Sequence, residues 1–166
     1  MMTRAVYNLL DDVKGEAYLR LLHHALSYCD SFILVIRHSI DVDPSAAALL
    51  NRLEPSLISS EESSEWPGTQ LLDSTALVNR YKLSPNTAAD LAEVADGLFS
   101  WCQPQLPEDL CLIRRGGDPW LVTIAHEEDA YLVLSPEESA TLTESIPTLS
   151  LGLNEDRGEK GEGLVA

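Results

Sequence analysis

Basic side chains are scarce. Lys and Arg total 11 against 27 Asp and Glu, so the 166 residues carry a formal net charge of −16. A chain this poor in cations is ill-suited to nucleic acid, whose phosphates are held by Lys and Arg. An anionic membrane surface repels it as well. A field of this sign acts on solubility, association rate and partner choice, and it suits a basic protein partner.

Cysteine is also sparse. Cys29, Cys102 and Cys111 are widely spaced with no CxxC, which argues against a disulfide framework and a thiolate metal site. Each lies among apolar neighbours and reads as a small buried hydrophobe. Long apolar runs are missing. The longest, Phe32-Ile33-Leu34-Val35-Ile36, is strand-sized against the ~20 residues that span a bilayer. Met1-Met2-Thr3-Arg4 leads into a stretch broken by Asp11 and Asp12, without the apolar core or cleavage site of a secretory leader. The expected location is the cytoplasm.

Catalytic signatures are absent too. There is no HExxH pair, no GxxxxGK[ST], no GxGxxG and no GxSxG. Gly116-Gly117 lies between two strand patterns, where a phosphate loop would open a helix. Neither a cofactor nor a metal is expected from these patterns.

What is present is an ordinary folding composition, 45% hydrophobic and 23% charged, in a length that fits one domain with a real core. Tyr18, Leu22, Ala25, Leu26 and Cys29 share one helical face. Phe32–Ile36 reads as a central strand buried on both sides. Asp43-Pro44 opens a helix that Pro55 limits. Ser59 to Glu65 is polar and low in complexity and reads as an exposed loop, with a turn at Trp66-Pro67-Gly68-Thr69.

Thr75 to Leu83 alternates as a strand. Ser84-Pro85 opens a helix expected to run to Trp101, ended by Pro104 and Pro107. Leu110–Arg114, Trp120–Ala125 and Ala130–Leu134 form a three-stranded antiparallel meander. Ser135-Pro136-Glu137-Glu138 opens the last helix, with acids at its positive end, and Pro147 stops it. Val6 to Leu10 is a short apolar segment that suits a strand or a helix start. Leu83-Ser84-Pro85 and Leu134-Ser135-Pro136 echo one another, which needs no duplication to explain, because Ser-Pro starts helices well.

The expectation is an α+β fold: an open, mostly antiparallel sheet of four to six strands with about four helices packed mainly on one face. Residues 1–151 form a single domain and residues 152–166 a disordered acidic, Gly-rich tail.

Several groups are candidates for function. His23-His24 lie about 100° apart on a helix and suit a polar flank better than one metal. Arg37-His38 follow a buried strand, near Asp41 and Asp43, without a specified nucleophile. His126-Glu127-Glu128-Asp129 sit at a loop tip, able to act as base or contact surface. Trp66 beside Glu61, Glu62 and Glu65 suits an exposed anchor, or else a pin holding a loop on the core. Pro104 and Pro107 hold Glu108 and Asp109 in a rigid connector. Glu108-Asp109, Glu127–Asp129 and Glu137-Glu138 belong to consecutive elements and are expected on one negative face.

Three functions compete. The first is a non-enzymatic acidic binding protein, such as an immunity protein or inhibitor, masking a basic protein partner. Its contacts would be Glu61, Glu62, Glu65, Trp66, His126, Glu127, Glu128 and Asp129. The second is a small-molecule enzyme with His38 or His126 as acid and base, which requires a concave pocket with a converging carboxylate or hydroxyl. The third is an assembly subunit with a large apolar patch.

Overall fold

The computed structural model describes residues 3–156. In chain order the elements are β1 (Ala5–Leu9), α1 (Gly15–Ala25), β2 (Cys29–Ile36), α2 (Pro44–Leu53), β3 (Leu57–Ser63), β4 (Glu65–Trp66) and β5 (Thr69–Gln70). There follow β6 (Ala76–Lys82), α3 (Pro85–Val94), β7 (Glu108–Arg114), β8 (Pro119–Ile124), β9 (Asp129–Leu134), α4 (Pro136–Ser145) and β10 (Leu151–Asn154). Eight strands form one sheet in the order β10-β1-β9-β8-β7-β2-β6-β3, and β4 with β5 makes a separate hairpin. Every pairing is antiparallel. Among the described residues no helix is long and apolar enough to cross a membrane.

The α+β class and the antiparallel sheet match the expectation; the strand count does not. The sheet has eight strands, against four to six expected. The two additions are β3 and β10. β3 (Leu-Ile-Ser-Ser-Glu-Glu-Ser) lacks apolar alternation because it is an edge strand with little to bury, exposed at Ile58, Ser60, Glu61 and Glu62. β10 pairs its four residues with Leu9 to Val6 of β1. Gly152 to Asn154, expected to begin a disordered tail, are therefore strand. Glu155 and Asp156 follow as exposed residues, and the remainder of the expected tail, 157–166, lies outside the described residues.

Side chains alternate across the sheet as the pleat requires. Phe32 and Leu34 of β2, Leu110 and Leu112 of β7, and Leu132 and Leu134 of β9 join one core. That core also holds Tyr18, Leu21 and Leu22 of α1, Leu49 and Leu53 of α2, Leu91 of α3 and Leu142 of α4, so all four helices lie on one face. Within it Trp101 Nε1–H donates to the Tyr18 hydroxyl, which donates to the Leu91 carbonyl. The opposite face carries Cys111, Ile113, Val122, Ile124 and Tyr131.

α3 and α4 both start with capping boxes, Ser84 with Thr87 and Ser135 with Glu138. α3 ends at Val94, short of the expected Trp101. Leu98 N–H donates to the Val13 carbonyl and Gly15 N–H to the Asp96 carbonyl, drawing the chain out of the helix. A Cβ at Gly97 would meet the Val13 oxygen at 2.8 Å, so only glycine allows that approach. α1 likewise ends at Ala25, and Cys29 opens β2 instead of extending the helical face.

Candidate functional site

Register fixes which loops meet. Ser63 of β3 pairs with Ala76 of β6, Leu77 with Ile36 of β2, and Val35 of β2 with Glu108 of β7. Ile124 of β8 pairs with Asp129 of β9. The end of β3, the end of β2, the start of β7 and the β8–β9 turn therefore share one end of the sheet. Glu61 lies in the same row as Glu108, through Val78 and Val35.

Glu61, Glu62, Glu65, His126, Glu127 and Glu128 are exposed there, and Asp129 is half-buried. Four inter-strand spacings separate β3 from β8, about 19 Å. The opposite end is mixed in charge. Lys82, Arg114 and Arg115 lie there, with Arg4 near Asp118 at 3.4 Å and Arg114 bound by Glu138 at 2.7 Å. Glu137 and Glu138 follow β9 and so stand at this opposite end, away from Glu108-Asp109 and Glu127–Asp129. The expected single negative face is corrected on that point: β3 supplies its second half, not α4.

Trp66 is not a surface anchor. It is 4% exposed, packed with Val35 and Ala76 on the helix-free face. Its Nε1–H donates to Asp109 Oδ2 at 3.1 Å. The hairpin that carries it sits close because Gly68, at φ +89°, has no Cβ to meet Val122.

Behind the rim lies a buried polar centre. All seven residues of β7 are buried, and Glu108 and Asp109 are 1% and 0% exposed. A bulge between the β2–β7 pairs Ile33–Cys111 and Val35–Glu108 gives β7 an extra residue, and Asp109 takes φ +57°. Asp109 Oδ1 accepts from Ala125 N–H at 3.1 Å. Glu108 Oε2 accepts from Gln103 N–H at 2.8 Å. The Gln103 side chain in turn holds the Arg37–Asp41 segment, donating to the carbonyls of Arg37, Ile40 and Asp41.

The Arg37 guanidinium lies over the Trp66 ring at 5.5 Å. Its Nη2 stands 3.9 Å from Asp109 Oδ2, and its buried Nε has no hydrogen-bond partner. His126 Nδ1 faces Glu108 Oε1 at 3.8 Å, and its Nε2 faces Glu127 at 3.7 Å. Burial raises the carboxyl of Glu108 above its ordinary value, against the Gln103 N–H, and the neighbouring Asp109 adds to the rise. Burial raises Asp109 likewise, against the donors Trp66 and Ala125. Burial and the two carboxylates push the Cys102 thiol up, which keeps it protonated and unreactive.

His38 is exposed and bonds to Glu62 at 2.9 Å, while Thr75 donates to the same carboxylate. Its partner is thus β3, not Asp41 or Asp43. Sequence reasoning picked out Arg37 beside His38 but missed its turn inward over Trp66 toward Asp109, and it missed the depth of Glu108 and Asp109. The available signal was an acid pair set directly against the apolar run Leu110–Ile113. No protein-family model, curated protein or solved structure matches this chain.

Proposed function

We propose that the chain is a non-enzymatic acidic binding protein that masks a basic protein partner, as an immunity protein or inhibitor does. The carrying observation is the register that brings Glu61 and Glu62, with Glu65 two residues beyond the end of β3, to the same end of the sheet as Glu127, Glu128 and Asp129. Two acidic segments more than 60 residues apart in sequence become one rim. Arg37, just past the end of β2 at this end of the sheet, is turned inward over Trp66. A rim of one sign steers the encounter with an oppositely charged surface and raises the association rate, most strongly at low salt.

The test is capture from the native host at low and high ionic strength, read by mass spectrometry. The reading expects a single basic protein held at low salt and weakened at high salt. An equally strong catch of proteins of any charge at both salts contradicts it.

A second reading, a small-molecule enzyme, is favoured by one observation: His126 converges on Glu108 at 3.8 Å. A buried carboxyl beside a half-exposed imidazole suits acid–base work. That reading expects loss of turnover in His126→Ala with the partner still captured.

A further inference from the structure

Glu108, Asp109 and His126 each offer one ligand atom, and these atoms lie within 4.8 Å of one another. The carboxylates are closed to solvent, whereas His126 has 38% of its side chain exposed. Glu108 Oε1 accepts a long hydrogen bond from the Cys102 thiol at 3.9 Å, a weak donor for a buried carboxylate oxygen. His126 Nδ1 stands 3.8 Å from the same oxygen, beyond a strong hydrogen bond.

The gap has a simpler use. Two ligands about 2.1 Å from one ion, at angles between tetrahedral and trigonal, stand about 3.4–3.6 Å apart. The Glu108–His126 separation of 3.8 Å is close to that spacing. Charge agrees with it. Two buried carboxylates face Arg37, which reaches Asp109 only at 3.9 Å, and a carboxylate left uncompensated in such a site is costly.

We propose that Glu108, Asp109 and His126 bind a divalent transition-metal ion of the zinc or manganese class. Two carboxylates and an imidazole are the mixed oxygen and nitrogen set these ions take. The carboxylates are already oriented from behind, Glu108 by Gln103 N–H and Asp109 by Trp66 Nε1–H and Ala125 N–H. The exposed side of His126 gives the ion its entry and leaves room for water as a further ligand. The two carboxylates balance the charge of a divalent ion, and Arg37 stays 3.9 Å from Asp109. The inference rests on the buried carboxylates Glu108 and Asp109 and shares only His126 with the rim.

Titration calorimetry of the full chain with Zn²⁺ and with Mn²⁺ tests it, with Mg²⁺ as comparison. The expected result is one Zn²⁺ or Mn²⁺ per chain, bound at least tenfold tighter than Mg²⁺. His126→Ala and Glu108→Gln should each weaken binding at least tenfold, while His38→Ala leaves it unchanged. Glu108→Gln keeps an acceptor for Gln103 N–H, and circular dichroism checks that it folds. If it does not fold, the exposed His126→Ala decides alone. No binding, binding indifferent to His126→Ala, or binding lost in His38→Ala overturns the proposal, the last by moving the ion to the His38–Glu62 pair.

Discussion

The indole Nε1–H of Trp66 donates to Oδ2 of Asp109 at 3.1 Å, with both residues shut off from solvent. This bond fastens the β4–β5 hairpin to the start of β7 and fixes the carboxylate around which Arg37, Ala125 and His126 gather. Trp66→Phe keeps most of the packing and removes the donor. An unmatched buried carboxylate oxygen makes the loss about 2 kcal/mol. Chemical denaturation should show it as a lower midpoint with an unchanged slope.

Gly68 serves the same hairpin. At φ +89° an added Cβ would lie 2.7 Å from Val122 Cγ1. Gly68→Ala must strain the backbone and push the hairpin off the sheet, at a cost of about 2 kcal/mol. Thermal unfolding measures the cost, and proteolysis at the hairpin should speed up.

Glu138 gives a pH dependence of defined sign. Burial would raise its carboxyl, but the bonds from Arg114 and Ser135 and the charges of Arg114 and Arg4 outweigh burial and hold it below 4.5. A depressed carboxyl stabilises above its unfolded value and loses that contribution as pH falls through its folded one. Unfolding temperature should therefore drop below about pH 4.5 in the wild type, and drop less in Glu138→Gln. At neutral pH, Glu138→Ala leaves the buried Arg114 without its bidentate partner and should cost about 2 kcal/mol.

Much of this architecture is legible in the sequence because local signals and burial agree. Ser84-Pro85 and Ser135-Pro136 start helices as their capping residues require, and Phe32–Ile36 is apolar because the helix layer covers one face of β2 and the Trp66 hairpin packs on the other. β3 is illegible because an edge strand needs backbone partners more than apolar side chains. The end of α3 is hidden for a related reason: a tertiary contact, Gly97 against Val13, overrides a helical pattern that continues to Trp101. The site was half visible. The acids of the rim stand out by composition, but their meeting depends on β3 being a strand. Arg37 and His126 reach Glu108 and Asp109 only through pairing across β2, β7 and β8, which no spacing in the sequence records.

The central claim is that one end of the sheet, not net charge, selects the partner. The direct measurement is capture of the host partner by two variants with equal charge change, each replacing four acids with lysine. One carries Glu61→Lys, Glu62→Lys, Glu127→Lys and Glu128→Lys. The other carries Asp30→Lys, Glu54→Lys, Asp118→Lys and Glu137→Lys, all exposed and at the opposite end. The account predicts that the first loses the partner and the second keeps it. Equal loss in both, or loss in the second alone, contradicts it.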